Sequence, residues 1–205
     1  LGMLREARAS GVPLSVLFAS TPAFYRGVGY EPAGWTLGWA VVPACFPRGD
    51  GEAEVVLVED EAGRGRVRAV YERWAAGQNG VMGRCDRMWR RWYRPKESER
   101  YAYVIVRGGS DEGYLIVHRD REQGALWINV ATLTPGAAAG AAGFAFGLTS
   151  VVKKLRWLGE PVDPLRYQIA DHAARPGQGT GEWLMRLTDV DAALAQRGYP
   201  AVHAE

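Results

Sequence analysis

The order of helical and extended patterns along the chain is the sequence feature that most limits its fold. Two segments repeat apolar residues at the spacing of one helix face. They are Val67, Val70, Tyr71 and Trp74 in the first, and Cys85, Met88, Trp89 and Trp92 in the second. Three apolar runs of strand length follow at residues 101–107, 114–118 and 126–132. The first two runs are apolar on both faces, which predicts central strands in a covered sheet.

Shorter elements of both kinds flank this central part. Upstream, the patterns predict a helix over 1–10, a strand over 14–19, a short helix from Ser20-Thr21-Pro22 to Gly27 or Gly29, and strands over 30–43 and 55–58. Downstream, they predict a helix over 134–148, strands over 151–158, 166–170 and 183–187, and a helix over 190–197. Together these elements predict an α+β or mixed α/β architecture.

Composition excludes several classes of protein. Of the 205 residues, 47% are hydrophobic and 23% are charged, which is ordinary globular usage. No apolar run approaches the roughly 20 residues that a membrane span needs. The first residues carry Arg5, Glu6 and Arg8 rather than an apolar core, so we expect no signal peptide. Two cysteines, Cys45 and Cys85, make neither a disulfide framework nor a zinc set. We therefore expect a cytoplasmic protein that binds no metal, in which His118, His172 and His203 are scattered surface or packed residues.

The densest charge lies in the second helical segment. Residues 84–96 hold six basic side chains and one acid, against a net charge of +2 for the whole chain. Arg84, Arg87, Arg91 and Arg94 fall opposite the tryptophan face, so we expect a solvated face and a buried back. Nucleic-acid binding requires exposed aromatic rings between the basic residues, and this pattern predicts no nucleic-acid partner. Cys85 lies on the apolar face and is expected to pack in the core.

Residues 20–34 are the most informative segment, with the sequence S-T-P-A-F-Y-R-G-V-G-Y-E-P-A-G. They resemble the end of a GNAT-type N-acetyltransferase domain, where a strand leads into a short helix that bears the pair F-Y. The context adds L-R-E-A-R-A-S-G-V-P-L-S before it, and T-L-T-P, D-P-L and W-L-M-R-L-T-D-V-D-A-A-L-A-Q-R-G-Y-P after it. In this order the segments resemble the bacterial enhanced intracellular survival (Eis) acetyltransferase family.

The resemblance implies a domain organisation. Residues 1–42 would be the C-terminal end of a first, catalytic GNAT domain, and residues 43–174 a second GNAT-like domain with a mixed sheet flanked by helices. Residues 181–205 would begin a sterol-carrier-like domain. On this basis we expect a chain that is truncated at both ends, and a full-length parent that forms a homo-oligomer.

The resemblance also implies a site. The family transfers an acetyl group from acetyl-CoA to an amine, and the acceptor would be a small molecule of the aminoglycoside or polyamine kind. Tyr25 matches the family's general acid, and a phenol, with an ordinary pKa of about 10, is protonated at neutral pH and can donate to a leaving thiolate. Ser20 and Thr21 match the positions that contact acetyl-CoA, while Tyr30 matches a structural aromatic residue.

Two alternatives remain open from the residues themselves. Tyr25 could be a packed aromatic residue beside Phe24 without a chemical role. The chain could also be a non-catalytic fragment, or a scaffold and interaction module, because the family's R/Q-x-x-G-x-G/A loop for the pyrophosphate of acetyl-CoA has no counterpart inside it. The activity of this chain alone is therefore not predicted.

Overall fold

The computed structural model describes residues 1–78, 80–93, 100–120, 125–160, 162–169, 175–176 and 181–198. Their contacts divide the chain into two compact units. The first unit contains residues 1–36 together with 181–198, and the second lies within residues 37–179. No helix among the described residues is both long and apolar enough to cross a bilayer.

The first unit is built around three strands. Its elements are α1 (Gly2–Ala9), β1 (Leu14–Phe18), α2 (Pro22–Arg26), the first part of β2 (Glu31–Val41), β9 (Gly181–Leu187) and α6 (Val190–Gln196). Strand β9 lies between β1 and β2 and is antiparallel to both. Ser15 of β1 is paired with Arg186 of β9, so their side chains lie on the same face of the sheet.

The second unit is a mixed sheet with helices on both faces. Its elements are the last part of β2, β3 (Ala53–Val58), α3 (Glu61–Ala76), α4 (Asp86–Tyr93), β4 (Arg100–Arg107), β5 (Ser110–Asp120), β6 (Ala125–Thr132), α5 (Pro135–Gly147), β7 (Lys154–Gly159) and β8 (Arg175–Pro176). The strand order is β2-β7-β6-β5-β4-β3, and β8 also pairs with β2. Only β6 and β7 are parallel among the paired strands described. The predicted α+β class is confirmed.

Alternation along the central strands builds the two cores of this unit. On β5, Leu115 and Val117 belong to the core under α5, whereas Tyr114 and Ile116 belong to the core under α3 and α4. All four side chains are buried. The run that is apolar on both faces is therefore a central strand covered on both sides, as the sequence predicts.

The Ala/Gly composition of α5 allows close packing. A Cβ at Gly140 would lie 2.6 Å from the Cβ of Ala53, and a Cβ at Gly143 would lie 2.6 Å from the Cα of Gly49. Glycine lowers helix propensity, but at these two positions it lets neighbouring chain segments approach. Thr134 caps the helix as predicted, because its hydroxyl oxygen accepts a hydrogen bond from the N–H of Ala137 at 3.1 Å.

The strand predicted over residues 166–170 is wrong for the residues described, since Arg166–Gln168 form a 3₁₀ turn. Asp163 explains the turn: one of its carboxylate oxygens accepts the N–H of Arg166 at 2.9 Å, and its backbone carbonyl accepts the N–H of Tyr167 at 3.1 Å. The other carboxylate oxygen accepts the indole N–H of Trp157 at 3.2 Å. A side chain that caps the backbone in this way favours a turn over an extended strand.

The units of the structure do not coincide with the predicted domain boundaries. Their division falls at residues 36 and 37 rather than at 42, and residues 181–187 pair with strands of the first unit. The assignment of two GNAT-like domains and of a sterol-carrier-like segment stays a prediction.

The buried Asp163 predicts a pH dependence of stability. Only 6% of the residue is exposed, and burial raises the pKa of its carboxyl above the ordinary value of 3.8. The folded state therefore holds this proton more tightly than the unfolded chain. The stabilisation that the bound proton gives to the folded state is fully present below pH 3.8 and is lost as the pH rises through the raised pKa of Asp163.

We therefore expect the unfolding free energy of wild type, minus that of Asp163→Asn, to fall as the pH rises from about 4 to 7. Urea unfolding of both proteins across this range measures the difference, with the exposed Glu59→Gln as the matched control. A difference that stays constant or grows with pH would contradict the assignment.

Candidate active site

The segment that joins β1 to β2 in the first unit carries all three residues predicted for the site. Ser20 lies in a bend after β1, and Thr21 occupies the position before α2, with Pro22 in the first turn. Both hydroxyl side chains are exposed, and neither makes a hydrogen bond to the described residues. Thr21 thus begins the helix by position without capping it through its side chain, which leaves its hydroxyl available to a ligand.

The end of α2 is closed by a left-handed glycine. Gly29 has φ +84°, and the N–H of Gly29 donates to the carbonyl of Arg26 at 2.9 Å. The N–H of Tyr30 donates to the carbonyl of Tyr25 at 3.1 Å. These two bonds and the glycine conformation form a Schellman motif, in which the first and last residues commonly pack against each other.

Tyr25 and Tyr30 make that contact through their rings. The ring centroids are 5.8 Å apart in an edge-to-face arrangement. Phe24 lies on another side of Tyr25 with its centroid at 5.3 Å, yet 68% of Phe24 is exposed. Tyr25 is therefore half-buried between two rings, and one of those rings faces solvent.

The hydroxyl of Tyr25 makes no hydrogen bond to any described residue. The side-chain polar atoms that are both buried and without a partner belong to other residues, so this hydroxyl is accessible to solvent. A phenol with an accessible, unbonded hydroxyl is available to a ligand. The ring contact with Phe24 that the packing interpretation expects is also present, and the role of Tyr25 stays a prediction.

Tyr30 is anchored more firmly than Tyr25. Only 6% of it is exposed, and its hydroxyl is 2.7 Å from the hydroxyl oxygen of Ser15 on β1. The sequence analysis did not single out Ser15. A single hydroxyl within the run Leu14–Phe18, which is otherwise apolar, was the available signal for a polar contact at this position.

A shallow groove of about 490 Å³ lies beside Gly29. It is lined by Gly29, Glu31, Pro32, Ala33, Met185, Arg186 and Leu187. A register shift between Pro32 and Gly34 interrupts the pairing of β2 with β9 here. Glu31 and Arg186 give the groove charges of both signs, and the carboxylate of Glu31 accepts the guanidinium N–H of Arg26 at 3.0 Å.

The second unit contains a polar cluster of a different kind, centred on Arg84. Its guanidinium carbon lies 3.9 Å from the ring centre of Tyr71, 4.9 Å from that of Trp89 and 5.0 Å from that of Trp92. Cation–π attraction of this kind strengthens where water is excluded, and Arg84 is half-buried. Aromatic faces thus surround this cation on several sides.

The buried Tyr114 and the half-buried Asn129 complete the cluster. Arg84 donates to the hydroxyl of Tyr114 and to the amide oxygen of Asn129, each at 3.3 Å, and Tyr114 donates to the same Asn129 oxygen at 2.8 Å. Burial raises the pKa of Tyr114 well above its ordinary range and the pKa of nearby Tyr93 to about 12. Burial thus disfavours the phenolate form of both side chains.

The predicted arginine face is thus correct only in part. Arg87 and Arg91 are exposed, Arg84 lies against the tryptophan rings, and Arg94 falls outside the described residues. Cys85 was predicted to pack in the core but is exposed. The reason is that α4 begins at Asp86, and Cys85 precedes it as the residue whose carbonyl accepts the first helical N–H groups.

Of the three histidines, only His118 lies among the described residues. His118 is half-buried and stacks on Trp127, whereas His172 and His203 lie outside the described residues. Among the residues described, no group of three or more His, Cys, Asp and Glu side chains is placed to hold a metal ion.

Comparison with protein families identifies a family whose profile matches this chain. The profile of the acetyltransferase (GNAT) domain family matches residues 80–187, more than half of the chain. Two curated relatives are each 28% identical to this chain. A protein named as an uncharacterized N-acetyltransferase from Streptomyces coelicolor matches over 97% of this chain and 52% of its own length. The N-acetyltransferase Eis from Mycobacterium tuberculosis matches over 95% and 51%.

A solved structure supports the same fold. The GCN5-related N-acetyltransferase from Anabaena variabilis superposes with a TM-score of 0.88 at 25% identity, over 97% of this chain and 52% of that one. The chain spans about half the length of the curated relatives that it matches.

The closure at Gly29 generates a prediction about stability. An alanine here would be held at positive φ, and its Cβ would lie 3.1 Å from a terminal guanidinium nitrogen of Arg186. We expect Gly29→Ala to lower the unfolding free energy by about 1–2 kcal/mol, measured by urea unfolding. Gly2→Ala is the control, because a Cβ at Gly2 meets no atom within 4 Å. Equal stabilities for the two variants would contradict the strained closure.

Proposed function

The chain belongs to the GNAT family of acetyltransferases, and from that premise we propose that the complete protein transfers an acetyl group from acetyl-CoA to an amine, with Tyr25 as general acid. The observation that carries the proposal is the half-buried phenol of Tyr25, whose hydroxyl makes no bond to the described residues. It is presented by a short helix that directly follows a strand. The relatives named N-acetyltransferases support the reaction class.

Bound acetyl-CoA supplies an acetyl thioester, whose carbonyl carbon an amine attacks and from which a thiolate departs. A phenol is protonated at neutral pH and can give its proton to such a leaving group from hydrogen-bonding distance. The attacking amine loses one proton as the amide forms, and the return of a proton to the phenolate restores Tyr25, so that protons balance over the reaction. Tyr25 meets the local requirement, because its hydroxyl is accessible and has no competing acceptor among the described residues.

We assign Ser20 and Thr21 to acetyl-CoA binding. Their hydroxyls are exposed at the start of α2, and Thr21 does not spend its hydroxyl on capping the helix. Helix α2 has only five residues, so its dipole contributes little, and the hydroxyl and backbone N–H groups would provide the contacts. Both polar donors precede Tyr25 by less than two helical turns, which fits a cofactor that ends near the phenol.

The acceptor proposed is a small-molecule amine of the aminoglycoside or polyamine kind, which rests on the resemblance of residues 20–34 and their context to the Eis family. The carboxylate of Glu31 in the groove is already paired with Arg26, so it adds no independent argument for a cationic acceptor. Cytoplasmic location and a homo-oligomeric state remain predictions, as does the lack of a nucleic-acid partner.

The second candidate function is an interaction module without catalysis. One observation favours it: Leu14, Val16 and Phe18 of β1 project from one face of the first unit and are exposed, Phe18 by 66%. An apolar row of this kind is typical of a surface that another element covers. Measuring acetyl transfer and the binding of acetyl-CoA distinguishes the acetyltransferase from the interaction module.

Replacing Tyr25 with phenylalanine tests the general acid. The ring and its contacts with Phe24 and Tyr30 remain, so the melting temperature should not change, whereas kcat should fall on the order of 100-fold with KM little altered. Tyr167→Phe removes a hydroxyl from an exposed tyrosine elsewhere and is the matched control. Turnover of Tyr25→Phe equal to wild type would remove Tyr25 from the mechanism.

The double variant Ser20→Ala, Thr21→Val tests the cofactor site. If both hydroxyls bond acetyl-CoA, its Kd in the complete protein should rise about tenfold, which corresponds to two ordinary hydrogen bonds of modest net strength. Calorimetric titration measures the Kd, and the exposed Ser10→Ala is the control. An unchanged Kd would refute the assignment, and a complete wild-type protein that binds no acetyl-CoA would favour the interaction module.

A further inference from the structure

The orientation of the Tyr25 ring is set by few contacts. Its hydroxyl makes no bond to the described residues, and Phe24 is too exposed to act as a rigid wall. The second ring in contact with Tyr25 is that of Tyr30, which meets it at 80° with a centroid distance of 5.8 Å. The direction of the Tyr25 phenol therefore depends on where the Tyr30 ring is held.

Two bonds hold Tyr30. Its backbone N–H donates to the carbonyl of Tyr25, which fixes the two backbones relative to each other but does not by itself set the direction of the buried side chain. Its hydroxyl and the Ser15 hydroxyl, 2.7 Å apart, fix the far end of the ring. Ser15 in turn belongs to β1, which is paired along its whole length with β9. The ring is thus tied at one end to the helix closure and at the other to the sheet.

From this geometry we infer that Ser15 and Tyr30 are positioning residues for Tyr25: the bond between their hydroxyls holds the Tyr30 ring against which the Tyr25 phenol is oriented. The inference rests on the proposed function of Tyr25 and adds two residues that do not themselves contact a substrate. Their contribution is expected in turnover, because a misdirected donor loses transition-state contact while the binding of substrates is retained.

A purely structural role of the same bond makes a different prediction. If the Ser15–Tyr30 contact only stabilises the fold, its loss should lower the melting temperature and leave kcat at a permissive temperature unchanged. If it positions Tyr25, its loss should lower kcat only while Tyr25 still has a hydroxyl to direct. The dependence on Tyr25 therefore separates the two roles.

The experiment uses the complete protein with acetyl-CoA and a polyamine as acceptor. Product CoA should be measured chromatographically, because Cys85 is exposed and would react with a thiol reagent. We expect Tyr30→Phe and Ser15→Ala each to lower kcat about fivefold with KM unchanged. The double variant should lose no more than either single one, since both remove one shared bond. Ser15→Thr, which keeps a hydroxyl, should restore turnover.

The same two changes are then made in the Tyr25→Phe protein. There we expect no further loss of kcat from either change, because the group that they position is absent. Tyr167→Phe serves again as the control for removal of a hydroxyl, and melting temperatures identify any variant that is only destabilised. If Tyr30→Phe fails to fold, Ser15→Ala and Ser15→Thr decide the question without it.

Two results would overturn the inference while the proposed function stands. One is a depressed kcat in Tyr25→Phe with wild-type kcat in Tyr30→Phe and Ser15→Ala. The other is an equal loss from these changes in the presence and absence of the Tyr25 hydroxyl. A wild-type kcat in Tyr25→Phe would instead overturn the proposed function, and the positioning role with it.

Discussion

The closure of α2 at Gly29 is the constraint on which the candidate site depends. Because Gly29 adopts positive φ, the chain can turn back so that the N–H of Tyr30 reaches the carbonyl of Tyr25. That bond brings the two rings into edge-to-face contact and starts β2 directly after the turn. A side chain at this position would also press on the guanidinium of Arg186. One backbone conformation thus determines where the phenol is presented.

The polar groups of the two units differ in their internal partners. In the second unit, Arg84 is enclosed by aromatic rings and two hydrogen-bond partners. Asp163 is likewise occupied, by an indole and by backbone N–H groups. In the first unit the hydroxyls of Ser20, Thr21 and Tyr25 have no partner among the described residues. The hydroxyl of Tyr93 in the second unit also lacks a partner among the described residues, but it is buried. The proposed function is placed in the first unit because its three unpartnered hydroxyls are accessible to a ligand.

Periodicity predicted most elements of the fold, because the apolar repeats of α3, α4 and the central strands follow directly from which faces are buried. It failed where a single side chain decides the backbone, as when Asp163 turns residues 166–168 into a 3₁₀ segment. It also misplaced Arg84 and Cys85, because they precede α4 and do not follow its face. The contact of Ser15 with Tyr30 joins residues on separate elements, so a local pattern could mark Ser15 as a polar position but could not identify its partner.

Strand pairing in the first unit joins residues that lie at opposite ends of the chain. Strands β1 and β2 are close in sequence, yet each pairs with β9 and not with the other. Residues 181–187 therefore supply the hydrogen bonds that complete a sheet begun by residues 14–18. Ser15 lies within that pairing, so the support for Tyr30, and through it for Tyr25, comes from a strand at the other end of the chain. Because unpaired backbone groups in a sheet are costly, a fragment that ends before β9 would lose the frame that holds the phenol even though it contains every residue proposed for the site.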